Sequence, residues 1–330
     1  MGPRTLIGLI ICNLIWSLHP AMAKSLLSDF SPAQVAWLRY GSALLSYLAV
    51  VLAFRSFRPF SHAVFKPFWV PKTRQDWALL FAMGFFPFCF SPLLQLTGLA
   101  ASRAVDNALI VAMEPLVTVV LAWLVLREAI SFFYALTFGL ALFGFGLLTD
   151  VQPGALEWNG HLAGNLLILV SMSGEAAYSV FGRKLTARHE PVAIFGSAIT
   201  AGVILLTMAG PFFGVVATGF TSDQFTVRNV LCLLWMGPLG TMATYLYWMI
   251  ALSRAPVAAL AITLFIQPLF GALWGYALLE ERLSLMQAIG GGLILLAVLV
   301  SMWRRSNAKY EGHIHAVRQA CPGAPIPPKS

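Results

Sequence analysis

Long apolar runs constrain this chain more than any other feature of its sequence. Each run is about 20 residues long, which is the length that a helix needs to cross the hydrocarbon of a bilayer. Of the 330 residues, 59% are hydrophobic and 10% are charged, whereas soluble domains carry about 25% charged residues. Because a bilayer offers the backbone no water, such runs must form helices. We therefore expect an all-α integral membrane protein.

Charged residues, prolines and glycines divide the apolar runs into ten candidate transmembrane spans. The spans cover residues at about 5–27, 33–54, 77–98, 105–126, 132–150, 161–182, 190–213, 229–252, 256–279 and 285–303. The first run also resembles a secretory signal peptide, because Arg4 precedes it and the small residues Ala21-Met22-Ala23 follow. We expect it to be retained as a helix, because an internal repeat requires it.

The distribution of basic residues predicts the orientation of the spans. The formal net charge is +8, and the basic residues lie in short loops rather than along one polar face, which argues against a nucleic-acid partner. If the N-terminus is cytoplasmic, sixteen Lys and Arg residues lie on the inside and four on the outside, with Arg39 left within a span. This bias predicts that both termini are cytoplasmic.

The chain repeats itself at an offset of 153 residues. Residues 115–131, PLVTVVLAWLVLREAIS, match residues 268–284, PLFGALWGYALLEERLS. Each half holds five spans, and because five is odd the two copies must have opposite orientations in the membrane. Inverted repeats of this kind form many secondary transporters, with a substrate site near the midplane. We predict repeats at 1–150 and 151–304, followed by a disordered cytoplasmic tail at 305–330.

Several patterned segments occur twice in the same order. The segments LAASRAVDNALIVAMEPLVTVVLAWLVLREAIS and LSRAPVAALAITLFIQPLFGALWGYALLEERLS are one such pair. Over residues 5–303 the chain resembles the paired EamA-type repeats of the drug/metabolite transporter superfamily. The resemblance implies a ten-helix permease with two inverted five-helix repeats and a cavity lined mainly by helices 1–4 and 6–9. It names no substrate, because such permeases move amino acids, other metabolites, nucleotide-linked compounds and drugs. Glu175 departs from the apolar or aromatic residue expected there.

Ionisable residues within the spans are the candidate functional residues. A charged side chain at the bilayer centre costs about 2.5–3.5 kcal/mol on insertion scales, so it should face protein or water. Arg39, Glu114 and Glu175 meet this description, and His19 is a weaker fourth candidate. Glu114 lies about 14 Å into its span, near the midplane. Asn107 lies on the same helix face. We expect both to face the bundle interior.

Glu114 and Gln267 are equivalent residues of the repeat, and each is followed by a proline. The pair keeps two side chains of similar length, of which only Glu114 can titrate. The prolines Pro115 and Pro268, like Pro20 in the first span, would free backbone carbonyls and bend their helices. Freed carbonyls at membrane depth require a packed or wet interior. The prolines therefore indicate either a cavity or a role in shaping the bundle alone.

The remaining candidates have structural as well as functional interpretations. Glu175 shares a polar helix face with Tyr178, and it is either a transport residue or a packed glutamate. Arg39 is either an anchor that reaches the outer interface or the counterion of Glu114 or Glu175. Trp16 is too deep for an interface anchor, and we expect it to line a cavity. Tyr245, Tyr247 and Trp248 either line the same cavity or are interface anchors, as aromatic residues near span ends often are. Gly271 and Gly275 fit close helix packing better than substrate contact.

These features favour a secondary transporter that exports a small polar or amino-acid-like metabolite by alternating access. A membrane enzyme acting on a lipid-linked substrate is one alternative, but the chain lacks the common motifs of zinc peptidases, serine hydrolases and ATP-binding enzymes. A channel is the other, although rings of like residues would suit a channel better than a single Glu opposite a Gln. We predict no catalytic residues, cofactor or metal. The expected partners are a small-molecule substrate and the bilayer of the cell membrane, and a homodimer stays an open alternative.

Overall fold

The fold is known from a computed structural model, which describes residues 3–57, 66–126, 132–148, 160–213, 219–255, 260, 262–297 and 300. These residues form helices and connecting turns and contain no strand. The α-helices are α1 Pro3–Ser17, α2 His19–Leu26, α3 Pro32–Phe57, α4 Arg74–Phe85, α5 Ser91–Ala100, α6 Ala104–Val111, α7 Glu114–Leu126, α8 Phe132–Leu148, α9 Gly160–Thr186, α10 Pro191–Phe213, α11 Val227–Leu234, α12 Thr244–Arg254, α13 Ile266–Leu279 and α14 Leu285–Ala297. The prediction of an all-α fold is confirmed.

Five helical stretches are long and apolar enough to cross a membrane. They are Pro3–Leu26, Pro32–Phe54, Arg74–Ala100, Pro191–Pro211 and Val227–Arg254. Shorter apolar helices occur at Ala135–Leu148, Ile266–Leu279 and Leu285–Ala297. Each of the ten predicted spans contains helix within its described part, while the number of crossings stays a prediction. The predicted tail at 305–330 lies outside the described residues.

Two long helices contain a π-helical turn near their middle. The first π-helical segment, Phe86–Phe90, joins α4 to α5, and the second, Trp235–Ala243, joins α11 to α12. At the repeat offset, residues 86–90 correspond to residues 239–243, so the two segments overlap in the repeat. Prolines at Pro87 and Pro238 account for the irregular turns, because a proline inside a helix removes a backbone hydrogen bond.

The packing of these two long helices follows the inverted repeat. The helix formed by α4, the first π-helical segment and α5 packs on α9 and α10 of the second half. Its counterpart, formed by α11, the second π-helical segment and α12, packs on α1 and α3 of the first half. Each long helix therefore contacts the first two spans of the other half in addition to its contacts within its own half. This exchange is the arrangement that two inverted copies of one five-helix unit would produce.

A seam of small residues joins the halves along α6 and α13. A Cβ placed on Gly271 would lie 2.6 Å from the Cβ of Ala108, and one on Gly275 would overlap Val105. The backbones of α6 and α13 can therefore approach closely only because these positions carry no side chain. The prediction that this glycine pair serves helix packing is confirmed.

The first turn of α6 is closed by a residue of the second half. The Glu281 carboxylate accepts hydrogen bonds from the backbone N–H groups of Ala104 at 2.9 Å and Val105 at 2.8 Å. A carboxylate is favourable there, because the first N–H groups of a helix lack intrahelical partners and carry partial positive charge. Glu281 is the glutamate that the repeat shares with Glu128, which lies outside the described residues.

A polar link connects the halves at the predicted outer side. The Asp29 carboxylate, between α2 and α3, accepts from Asn229 Nδ2 at 2.7 Å and from Arg228 Nη2 at 2.8 Å. The hydrogen bond from Asn229, with the charge of Arg228 added, lowers the pKa of Asp29 below its ordinary value. The ion pair between Asp29 and Arg228 is exposed, so it contributes little to stability, whereas Asn229 is fully buried.

Candidate functional site

A cavity lies between the two halves and is bordered by side chains from both. The eight residues predicted from the sequence to bind substrate or couple transport all border it, namely Trp16, His19, Arg39, Asn107, Glu114, Glu175, Tyr178 and Gln267. The empty space among the lining atoms is about 760 Å³ when the open solvent at its mouth is counted in. The fold therefore brings the predicted residues together, and their roles in binding or coupling stay predictions.

The cavity is built where helices are interrupted. The first helical stretch breaks at Leu18, so α2 begins at His19 with Pro20 in its first turn. A second break, at residues 112–113, separates α6 from α7, which begins at Glu114 and Pro115. In the second half, a 3₁₀ turn at Ile262–Phe265 precedes α13. Proline fits the first turn of a helix because the missing N–H is not needed there. Each break thus places a polar side chain of its helix on the cavity wall.

Glu114 brings a carboxylate to the cavity that has no side-chain hydrogen bond to any described residue. Glu114 is 9% exposed, and its backbone carbonyl accepts from the Thr118 hydroxyl at 2.9 Å. Among the described residues, only His19 Nε2 and Asn165 Nδ2 are fully buried side-chain polar atoms without a partner. The Glu114 carboxylate oxygens are therefore reachable from the cavity.

Gln267, the equivalent residue of the second half, is instead held by its neighbours. Its Nε2 donates to Asn13 Oδ1 at 2.8 Å. Asn13 is fully buried and is fixed in turn, because its Nδ2 donates to the Leu9 carbonyl at 2.7 Å and to Thr263 Oγ1 at 2.9 Å. The amide of Gln267 is therefore part of a local network.

Glu175 is also held by hydrogen bonds. Its two carboxylate oxygens accept from the hydroxyls of Ser91 and Tyr245, each at 2.9 Å. The Tyr178 hydroxyl donates to the backbone carbonyl of Tyr245 at 2.9 Å and so braces the same helix. Glu175 is therefore a carboxyl group held in place by hydrogen bonds, unlike that of Glu114.

Arg39 meets neither of the two expectations for it. It is 4% exposed, so it does not reach the outer interface, and it forms no ion pair with a carboxylate of the described residues. Instead its Nε donates to Thr241 Oγ1 at 2.9 Å, and its Nη2 lies 3.3 Å from His19 Nδ1. A direct ion pair with Glu114 or Glu175 is not formed among the described residues, because Thr241 and His19 are the hydrogen-bonded partners of the guanidinium.

Glycines bring the second π-helical segment against this cluster. A Cβ on Gly240 would overlap Nε2 of His19, and one on Gly237 would lie 2.8 Å from the backbone carbonyl of Arg39. These approaches place the π-helical segment against the His19 side chain and the Arg39 backbone. π-helical turns are frequent at functional sites.

Aromatic rings form one wall of the cavity. The ring centroid of Trp16 lies 5.3 Å from that of Tyr245 and 5.5 Å from that of Trp248. Trp16 Nε1 also donates to the Gly240 carbonyl at 2.9 Å, which fixes the indole against the second π-helical segment. All three aromatic residues border the cavity, as expected from the sequence.

Tyr247 does not belong to this wall. Its hydroxyl donates to the backbone carbonyl of Arg4 at 3.3 Å, beside the start of α1. Tyr247 lies two residues after Tyr245, and this spacing turns its side chain to another face of α12. The expectation that Tyr247 lines the cavity is therefore wrong.

Sequence reasoning missed the neutral residues that hold the charged ones. Ser91 and Thr241 bind Glu175 and Arg39 but are ordinary polar residues within apolar runs, and Gln95 also borders the cavity. The available signal was the Gly-Pro-x-Gly-Thr run at 237–241, which is unusual inside a span. Such a run predicts an irregular helix, and the residues after it are candidates for cavity contacts.

Comparisons with known proteins agree with this architecture. The model of the EamA-like transporter family matches residues 3–149 and 162–303, so the chain belongs to the EamA-like transporter family. An uncharacterized transporter of Archaeoglobus fulgidus is 22% identical over 91% of this chain and 99% of its own length. The uncharacterized transporter YyaM of Bacillus subtilis is 24% identical over 85% of this chain and 87% of its own length.

A crystal structure of another protein has the same fold. It is 19% identical to this chain, covers 90% of it with 95% of its own chain, and superposes with a TM-score of 0.59. At this identity the likeness concerns the fold alone. Family membership identifies the protein as a multi-pass membrane transporter of a small molecule rather than an enzyme.

Proposed function

We propose that this transporter exports a small polar, amino-acid-like metabolite across the cell membrane by alternating access, with Glu114 as its switchable group. The observation that carries the proposal is the free carboxylate of Glu114 in a cavity between two inverted halves. Every other charged group on the cavity wall has a hydrogen-bonded partner among the described residues. Glu114 is therefore the acidic group that is available to a proton or to a cationic part of a substrate.

The interrupted helices support alternating access. The breaks before α2, α7 and α13 meet at the cavity, and discontinuous helices near the midplane are typical of secondary transporters with inverted repeats. Because the two halves are alike, a rocking motion can exchange their arrangements and open the cavity on the opposite side. A single midplane site would then face the two sides in turn.

Glu114 is suited to a switch because its carboxyl group is buried and can be either charged or neutral. The residue is 9% exposed, and burial disfavours a charged carboxylate that has no partner. The other titratable or charged groups on the cavity wall are His19, Arg39, Tyr178 and Tyr245. A proton or a substrate ammonium would neutralise Glu114, so occupancy by one excludes the other.

The test is transport by the purified protein in lipid vesicles. Metabolite profiling of cells with and without the protein first identifies the compound whose distribution changes. Efflux of that compound is then measured from about pH 5.5 to about pH 8.5, on either side of neutrality, for wild type and for Glu114→Gln. We expect Glu114→Gln either to abolish efflux or to remove its dependence on pH. Glu190→Gln is the matched control, because Glu190 is exposed and does not border the cavity. A wild-type rate and a wild-type pH profile in Glu114→Gln would contradict the proposal.

A further inference from the structure

Arg39 is a buried cation whose partners are all neutral. A guanidinium carries five N–H donors. Thr241 takes one and His19 takes another. At least two N–H donors therefore have no partner among the described residues. Buried charges are usually paired, because an unpaired buried charge is costly.

The free donors of Arg39 face the cavity. Its Nη1 has no hydrogen bond of ordinary geometry to a described residue, yet Nη1 is not one of the fully buried atoms that lack a partner. Arg39 also borders the cavity. Both observations together mean that Nη1 can be reached from the cavity, as can the carboxylate of Glu114.

The orientation of the guanidinium is fixed in advance. Thr241 Oγ1, which accepts from Arg39, itself donates to the Met236 carbonyl at 2.8 Å. His19 Nδ1 must accept, because a guanidinium can only donate, so the ring is neutral with its proton on Nε2. The guanidinium carbon lies 4.9 Å from the ring centroid of Tyr40. These contacts hold the planar guanidinium group in place without neutralising its positive charge.

We propose that Arg39 is a carboxylate-binding residue, and that the substrate spans the cavity with its carboxylate on Arg39 and its ammonium group on Glu114. This inference rests on the proposed function and specifies its substrate class as zwitterionic. His19 and Thr241 are positioning residues that act through Arg39. The planar fork of a guanidinium matches the two oxygens of a carboxylate.

The neighbouring charges favour a carboxylate over a phosphate group. A phosphate monoester carries nearly two negative charges at neutral pH, and the cavity already holds Glu114 and Glu175. A carboxylate adds one negative charge at Arg39, and the ammonium group of the same molecule compensates it at Glu114. The bound zwitterion therefore leaves the net charge of the cavity unchanged.

The experiment compares acids with their neutral analogues. Vesicles containing the purified protein are loaded with an equimolar mixture of the proteinogenic amino acids, and a second batch is loaded with the corresponding amino-acid amides. The contents are followed by mass spectrometry. For wild type we expect at least one amino acid to leave about ten- to a hundredfold faster than its amide, which is the effect of one hydrogen-bonded charge.

Arg39→Gln should remove this preference, so that acid and amide leave at rates within about twofold of each other. Arg103→Gln is the matched control, because Arg103 pairs with Asp106 outside the cavity, and it should keep the wild-type ratio. If Arg39→Gln does not reach the membrane, Thr241→Val tests the same point. This variant keeps Arg39 but removes the Thr241 hydroxyl that accepts its hydrogen bond. We expect it to lower the ratio of acid to amide efflux rates and to raise KM more than it lowers kcat.

The outcomes separate the two proposals. Efflux of amino acids and amides at equal rates from wild type would overturn the carboxylate site and leave export of an amino-acid-like compound standing. A wild-type ratio in Arg39→Gln would have the same meaning. Efflux of neither set would overturn both the zwitterionic substrate and the amino-acid-like substrate of the proposed function.

Discussion

Glu114 and Gln267 occupy equivalent positions in the two halves, and their surroundings differ. Gln267 donates to Asn13, which is itself held by Leu9 and Thr263. The Glu114 side chain has no such bond to a described residue, although both residues border the same cavity. The repeat therefore keeps the helix break in both halves and leaves one side chain free. A free carboxylate is costly to bury, which points to a role that packing does not explain.

Glu114 and Gln267 are equivalent only if the two halves have opposite orientations in the membrane. Cysteine labelling from each side tests this orientation with an all-or-none result. Lys72 and Ser222 are exposed residues of connecting segments. A cysteine introduced at Lys72 should react with a membrane-impermeant maleimide only from the cytoplasm, and one at Ser222 only from outside. Labelling of both from the same side would end the comparison, because the two halves would no longer be inverted copies.

Exchanging the side chains of Glu114 and Gln267 tests directly whether the two positions are equivalent. In the double variant Glu114→Gln with Gln267→Glu, the carboxylate moves to a position that the Asn13 network already occupies. We expect transport to stay about ten- to a hundredfold below wild type, because a charged hydrogen bond contributes about 1.5–3 kcal/mol and the exchanged group is not free to make it. Recovery of wild-type efflux would mean that the halves are interchangeable.

The hydrogen bond between Gln267 and Asn13 predicts a loss of stability when Asn13 is replaced. Asn13→Leu removes the acceptor of Gln267 and leaves its amide without a partner, which typically costs about 1–3 kcal/mol. Thr118→Val is the matched change beside Glu114, and we expect it to cost less because it removes one hydroxyl bond to a backbone carbonyl. Thermal unfolding of the purified variants in detergent measures both. Equal losses would mean that the two sites are held equally.

The outer link between the halves has the smallest expected effect. The pKa of Asp29 is lowered mainly by the hydrogen bond from Asn229, so the link stabilises the fold above the unfolded pKa of about 4 and is lost as the pH falls through the lowered value. Asp29→Asn should therefore lower the unfolding temperature slightly at neutral pH, and this difference should shrink as the medium is acidified. Asp223→Asn is the control, because the Asp223 carboxylate accepts from its sequence neighbour Ser222. A difference that persists in acid would assign the effect to another cause.

The fold class and the cavity residues follow from the sequence because lipid leaves few alternatives. An apolar run must be a helix, and a polar residue within it must face protein or water, so Glu114 and Arg39 could be recognised without coordinates. The partners of Arg39 could not be recognised in this way. Opposite charge suggests a glutamate, whereas the actual neighbours Thr241 and His19 depend on how the π-helical segment packs.

The two π-helical segments also set the register of the residues that follow them. Gln95 lies in the helix that follows the first, and Tyr245 and Trp248 lie in the helix that follows the second; all three border the cavity. A π turn holds one more residue between its bonded groups than an α turn does. If either segment were an ordinary α-helix with the same residues, the rest of that helix would be rotated by about 100°, the turn of one residue. That rotation would carry Gln95, Tyr245 and Trp248 off the cavity wall without altering any of them, so the irregular geometry of these two segments is as much a part of the site as its polar residues.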